Sequence, residues 1–181
     1  DIFELEVDIA LGGMDQRKAH MYMRDVAEKN HWLKPTCIHT PMLSGLKGPG
    51  GRMDSFDHKM SKSDPGNAIL LDDDPESIRS KMRKAFLEVG NQNSPVFEIS
   101  KHVIIPKIGK ITVSPDPKYG EASEWVDAQS FIDAVSDGTI HPLDAKMAVA
   151  DALSEILSPI SDHFSRKKDL LESINNITGG N

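Results

Sequence analysis

Three features of the 181-residue chain predict an α/β fold, part of a parallel sheet followed by a mostly α-helical segment. Val7-Asp8-Ile9-Ala10-Leu11 is a short, largely apolar, β-compatible run ending at Gly12-Gly13, and an amphipathic stretch follows from Asp15 to Glu28. That order reads as strand, tight turn, helix. Thr36-Cys37-Ile38-His39 supplies the next apolar-flanked strand. Beyond the polar stretch Gly90-Asn91-Gln92-Asn93-Ser94-Pro95 the pattern shifts to helices with short connections, which divides the chain into residues 1–90 and 91–181.

The remaining elements follow in order. Pro41 to Asp57 is a glycine-rich approach to a basic loop, and Ala68-Ile69-Leu70-Leu71 reads as a short buried strand. Asp74 then stands at an N-cap with Pro75 at the first helical position, and Ile78, Met82, Ala85 and Phe86 recur at helical spacing. The run Asp72-Asp73-Asp74 suits a helix amino-terminus on dipole grounds, so it is read as capping rather than as a metal site. Pro95 to Ile105 has a helical pattern, and Ile111-Thr112-Val113 is a lone strand or an extended connector. Asp127 to Ser136 is a helix stopped by Gly138, and His141-Pro142-Leu143-Asp144 opens a long one. On that last helix Leu143, Met147, Ala150, Leu153, Ile156 and Leu157 form an apolar stripe, and Ser158-Pro159 is expected to kink or end it. A basic-flanked helix continues to Leu171, and Thr178 to Asn181 reads as a frayed tail.

Composition narrows the class. The chain is 38% hydrophobic and 27% charged, with no apolar run long enough to span a bilayer and no stretch that reads as a signal peptide. A soluble, cytoplasmic protein is expected. The formal net charge of -7 argues against a uniformly basic nucleic-acid binder, although a local basic patch can still serve a tRNA. The single cysteine, Cys37, is read as a buried strand thiol rather than a nucleophile, since no basic neighbour would activate it.

Two segments carry chemistry. In Gly12-Gly13-Met14-Asp15-Gln16-Arg17-Lys18-Ala19-His20 the glycines stand at the carboxyl end of a strand, where open parallel sheets bind ligands and where glycine lets the backbone approach closely. Asp15 can accept from ribose hydroxyls or an ammonium, and Gln16 can both donate and accept. Asp15 is equally suited to capping the following helix. The second segment is His58-Lys59-Met60-Ser61-Lys62-Ser63-Asp64-Pro65. Two lysines three apart, among serine hydroxyls and flanked by glycines, make a mobile arm able to follow a polyphosphate. A solvated basic loop is the plainer reading of a lone Lys-x-x-Lys pair.

The full string resembles the KMSKS signature of class I aminoacyl-tRNA synthetases. Together with Gly-Gly-x-Asp-Gln-Arg-Lys-x-His it is similar to the tyrosyl-tRNA synthetases of archaeal and eukaryotic type. Lys62 departs from the many archaeal-type members that carry serine there, toward the fuller signature. The resemblance implies a Rossmann-like catalytic part over 1–90 and a helical anticodon-binding part over 91–181. It implies that Lys59 and Lys62 act catalytically on the phosphates of ATP, with Gly13, Asp15, Met60, Ser61 and Ser63 in the ATP site. It further implies that Gln16 contacts the tyrosine ammonium or carboxylate, and that Tyr119, His141 and Asp144 meet the anticodon of tRNA(Tyr). Stacking rings and a carboxylate suit a flipped-out guanine, although Asp and His-Pro at a helix start are also ordinary capping choices. Arg166, Lys167 and Lys168 are read as a solvated helix face in preference to a phosphate contact.

The implied activity is ligation of tyrosine to tRNA(Tyr) through tyrosyl-adenylate, with ATP and Mg²⁺ as cofactors and a homodimer as the working form. No protein ligand set for a resident metal is expected. The His-x-Gly-His turn of the class does not occur in the sequence, so the chain reads as the carboxyl-terminal portion of a longer enzyme, inactive by itself. Three alternatives are weighed against this reading. A tryptophan enzyme of the class is disfavoured by Arg17-Lys18-Ala19-His20 and His141-Pro142-Leu143-Asp144. A non-catalytic tRNA-binding module is the second. The third, an unrelated dinucleotide-binding enzyme, is poorly served by a double glycine without the longer Gly-x-Gly-x-x-Gly spacing.

Overall fold

β1 (Ile9–Gly13) and β2 (Thr36–Thr40) pair in parallel, with Gly12 opposite His39 and Gly13 opposite Thr40. The structure is a computed structural model describing residues 2–48, 60, 61, 63–167, 169, 170 and 173. By its contacts the chain forms two units, Asp1–Met42 and Leu43–Asn181.

In the first unit a 3-10 turn, Met14–Gln16, leads from β1 into α1 (Arg17–Lys29), as the strand-turn-helix pattern predicts. Only one residue of α1 is buried, Ala27. Cys37 departs from expectation: it lies in β2 but is only half-buried, its thiol 3.8 Å from the Pro35 carbonyl oxygen. Alternation along β2 puts Cys37 with His39 on the less exposed face, which is itself only partly covered, so the expected burial does not follow.

The second unit holds the hydrophobic core. α2 (Pro75–Lys84) begins as the sequence requires, with the Asp74 carboxylate accepting from the Ser77 amide at 2.7 Å and Pro75 at the first helical position. Ile78 and Met82 enter the core from it. α3 (Pro95–Ile99), a wide π turn (Ser100–Ile104) and α4 (Ile105–Ile108) form one continuous helical run. The Ile105 amide reaches back five residues to the Ser100 carbonyl, and Pro106, which has no amide proton to donate, follows directly. Gly109, at φ 87°, stops the run. β3 (Ile111–Val113) and β4 (Ser123–Trp125) pair antiparallel, α5 (Ala128–Ser136) is capped by Asp127, and α6 is Pro142–Ser165. The core gathers Leu46, Val96, Ile111, Val135, Val149 and the edge-to-face rings of Phe97 and Phe131, whose centroids are 6.5 Å apart.

Four further expectations change. Ala68 to Leu71 is not a strand: its amides are spent locally, Leu70 donating to the Asp73 carboxylate at 2.7 Å and Asp73 donating back to the Leu70 carbonyl. Ile111–Val113 is not alone but half of a hairpin. Leu143 leaves the apolar stripe of α6, being 42% exposed, while Ala145, Ala148 and Val149 take the buried side. Pro159 does not end α6. The Glu155 carbonyl, which the proline cannot serve, accepts instead from the Ser158 hydroxyl at 3.3 Å. Arg166 and Lys167 follow the end of α6, whereas Lys168, Leu171 and the expected tail from Thr178 to Asn181 lie outside the described residues.

Candidate functional site

The first unit presents a corner at the carboxyl end of a parallel strand. Gly13 leaves β1 with extended backbone, and a Cβ placed on it would stand 2.6 Å from Oδ1 of Asp15. Glycine at 13 therefore leaves room for the Asp15 carboxylate to lie against the turn. The N-cap of α1 is Gln16 rather than Asp15, and the Gln16 side chain is exposed and makes no capping hydrogen bond. Its carboxamide is thus not engaged by the helix end it sits on. Gly12 is equally restricted: a Cβ there would meet His20 Cε1 at 3.1 Å and Gln16 Cβ at 3.2 Å. The Thr40 hydroxyl lies 3.4 Å from the Gly12 carbonyl oxygen and can donate to it.

In the second unit lie the ends of the basic loop. Lys59 and Lys62, the two lysines of the signature, fall outside the described residues. Met60 donates its amide to the Leu43 carbonyl at 2.9 Å and packs half-buried against the core. The Ser63 amide donates to the Ser61 hydroxyl at 3.3 Å, and the Asp64 amide to the Ser61 carbonyl at 3.2 Å. Downstream, Asp64 pairs with Lys47 at 2.6 Å, and Asn67 accepts from the amides of Leu46 and Lys47. Glu98 holds the same strand-like segment by accepting from the Ser44 amide at 2.7 Å and its hydroxyl at 3.1 Å. Met60 within the signature and Asp64 and Asn67 just after it are thereby tied to residues 43–47, an arrangement invisible to the motif itself.

The third group, Tyr119, His141 and Asp144, is brought together by the fold. These residues line one cavity of about 210 Å³, together with Pro115, Ser123 and Thr139. The connection between β3 and β4 carries Tyr119 there, held by its amide donating to the Asp116 carbonyl at 2.7 Å and leaving the side chain 84% exposed. His141 is the N-cap of α6, with Nδ1 accepting from the Leu143 amide at 3.2 Å. That bond leaves Nε2 as the proton-bearing nitrogen of the neutral ring. Asp144 stands in the first turn of the same helix. Thr139, through its side chain and its amide, holds the Asp137 carboxyl below its ordinary range, which fixes the Gly138 turn beneath the cavity. The sequence reading missed Pro115, Ser123 and Thr139; the only local signal was the Asp-Gly turn at 137–138 after a helix.

Among the described residues no three His, Cys, Asp or Glu side chains converge as a metal site. The acidic run is otherwise engaged, with Asp73 paired to Lys81 at 2.6 Å and Asp74 capping α2. No helix is long and apolar enough to cross a membrane, again among the described residues.

Comparison with known proteins bears on the family of the chain. The family model for class I tRNA synthetases (W and Y) matches residues 1–158. A tyrosine--tRNA ligase of Aeropyrum pernix is 44% identical over 170 residues, covering 88% of this chain and 47% of that protein. One of Picrophilus torridus is 46% identical over 168 residues, covering 91% of this chain and 50% of that protein. The crystal structure of tyrosyl-tRNA synthetase from Aeropyrum pernix superimposes with a TM-score of 0.82 at 40% identity, over 99% of this chain and 50% of that one. That from Archaeoglobus fulgidus, complexed with L-tyrosine, gives a TM-score of 0.73 at 40% identity, over 87% of this chain and 47% of that one. The chain spans about half the length of the curated relatives it matches. The match over 158 of 181 residues, on a fold with a parallel strand pair and helices, places the chain in the class I tRNA synthetase family of the tryptophan and tyrosine enzymes.

Proposed function

We propose that the chain is part of a cytoplasmic tyrosine--tRNA ligase. The observation that carries the reading is the Gly13-Asp15-Gln16 corner at the carboxyl end of β1, in a chain 42–46% identical to relatives of that name. Gln16 binds the ammonium or carboxylate of L-tyrosine, and Gly13 and Asp15 lie beside the adenylate ribose. Lys59 and Lys62 neutralise the phosphates of ATP, with Met60, Ser61 and Ser63 shaping their loop. Residues 1–90 belong to the catalytic domain and 91–181 to an anticodon domain, where Tyr119, His141 and Asp144 receive a base of tRNA(Tyr). The intact enzyme works as a homodimer.

In the first step a carboxylate oxygen of tyrosine attacks the α-phosphorus of ATP in line, and the bond to the bridging oxygen breaks with release of pyrophosphate. Charge accumulates on that leaving group, where the two lysine ammonium groups meet it. In the second step a terminal ribose hydroxyl of the tRNA attacks the carbonyl carbon and AMP departs. No side chain need become covalently modified, so positioning and charge stabilisation do the work.

The direct test is ATP–pyrophosphate exchange by the full-length protein with tyrosine or tryptophan as the amino acid. Exchange that depends on tyrosine alone is expected. Exchange that depends on tryptophan, or none with either, would overturn the reading.

A further inference from the structure

His20 and His39 come from different elements and meet across a residue that has no side chain. His20 lies on α1 and His39 on β2, directly opposite Gly12 in the parallel register. Their nitrogens, Nδ1 of His20 and Nε2 of His39, are 3.1 Å apart, with ring centroids 5.1 Å apart and the planes tilted by 42°. Both rings are half-buried. Gly12 leaves room beside the pair: a Cβ there would stand 3.1 Å from His20 Cε1 and 3.2 Å from Gln16 Cβ and would press on both. His20 and Gln16, four residues apart, thus border the same space over Gly12, and His39 bonds the His20 ring.

We propose that His39 is a positioning residue that acts through His20 to orient Gln16 for the amino acid. The inference rests on the reading of Gln16 as the amino-acid contact. An N–H···N bond needs one imidazole to donate and the other to accept, so it fixes the complementary tautomers of both rings. It also ties the start of α1 to β2 independently of the backbone of the turn between β1 and α1. Gln16 has no capping bond of its own, so the His20 ring, four residues on and bordering the same space over Gly12, limits where its carboxamide can go. Neither histidine touches the substrate in this account. The effect belongs to substrate binding and not to the chemical step.

The test compares His39→Phe, which keeps a ring but removes the nitrogens, with His39→Gln, which keeps a donor and an acceptor at similar reach. In exchange assays on the full-length protein, His39→Phe should raise KM for the amino acid about tenfold, the size of one net hydrogen bond, with kcat changed less than about twofold. His39→Gln should recover most of that loss. An unchanged KM in His39→Phe, or a His39→Gln variant no better than it, overturns the proposal. A second readout needs no substrate: the Gln16 side-chain amide signal in the NMR spectrum of the free protein should shift in His39→Phe and stay near its wild-type position in His39→Gln. An unmoved signal overturns the pair whatever the assay shows. A signal that moves in a protein lacking tyrosine-dependent exchange sinks the substrate reading and leaves the pair standing.

Discussion

Lys62 and Asp74 are single charged residues, and each yields an expected outcome. If Lys62 meets charge on the departing pyrophosphate, Lys62→Ala in the full-length protein removes a contact made mainly in the transition state. By the cost of deleting one oxyanion donor, that is about 3 kcal/mol of barrier, or roughly a hundredfold in rate. Single-turnover adenylate formation should slow by that factor while tyrosine affinity stays within about threefold; an unchanged single-turnover rate removes Lys62 from the chemistry. Asp74 has a structural task. Its carboxyl is held below the ordinary aspartate value by the Ser77 amide first and the Ser77 side chain second. The folded state therefore favours the ionised form, and this contribution is present above the ordinary value of about 3.9 and lost as pH falls through the lower folded value. Asp74→Asn keeps the cap but has no such proton, so its melting temperature should fall less steeply than the wild type's below pH 4. Parallel acid profiles for the two proteins would show that the cap does not contribute.

At the scale of elements, legibility followed whether local signals decided the outcome. Asp74-Pro75 was readable because a cap is a contact between residues three apart, whereas Asp127, read as the first residue of its helix, proves to be its cap. Ala68 to Leu71 misled because a short apolar run carries no periodicity, and the Asp73 carboxylate captured an amide that a strand would need. β4 was invisible in Ser123-Glu124-Trp125, three residues whose partner strand lies ten residues upstream. The hairpin is also what brings Tyr119 to His141, so their shared cavity was readable only through family resemblance. Two substitutions probe such elements. Gly48 has φ 72°, and a Cβ on it would clash with Cβ and Cγ of Phe86, while Phe86 donates its amide to the Leu46 carbonyl at 2.6 Å. Gly48→Ala should cost about 1–3 kcal/mol by denaturant unfolding, from the left-handed backbone and the clash together. Pro159→Ala should act in the opposite direction. It restores a donor to the Glu155 carbonyl and frees the Ser158 hydroxyl, a gain of about 1–3 kcal/mol less the entropy the proline removed from the unfolded chain. Lower helicity or a lower melting temperature in Pro159→Ala would contradict the account of α6.

Across the whole molecule, buried apolar surface is divided very unequally. The connected core lies within Leu43–Asn181, whereas Asp1–Met42 buries few apolar side chains and leaves Leu5, Ile9, Leu11, Tyr22, Leu33 and Ile38 exposed. Local opening free energy follows buried contacts, so the 181-residue chain should show graded hydrogen exchange. Amides of α5 and of α6 up to Leu157 should exchange slowest, through the global opening of the second unit. Those of α1 and β2 should exchange much faster, despite an intact hydrogen-bond ladder. Phe97 is fully buried against Phe131, and Phe97→Ala should cost about 3–5 kcal/mol in the second unit. The variant separates two possibilities. If the units open independently, exchange in α5 and α6 accelerates by two to three orders of magnitude, roughly what that cost implies, while α1 and β2 keep their wild-type rates. If the first unit instead depends on the second, α1 and β2 accelerate with it. Independence is the expected result, because among the described residues the connected core that holds Phe97 is drawn from Leu43 onward.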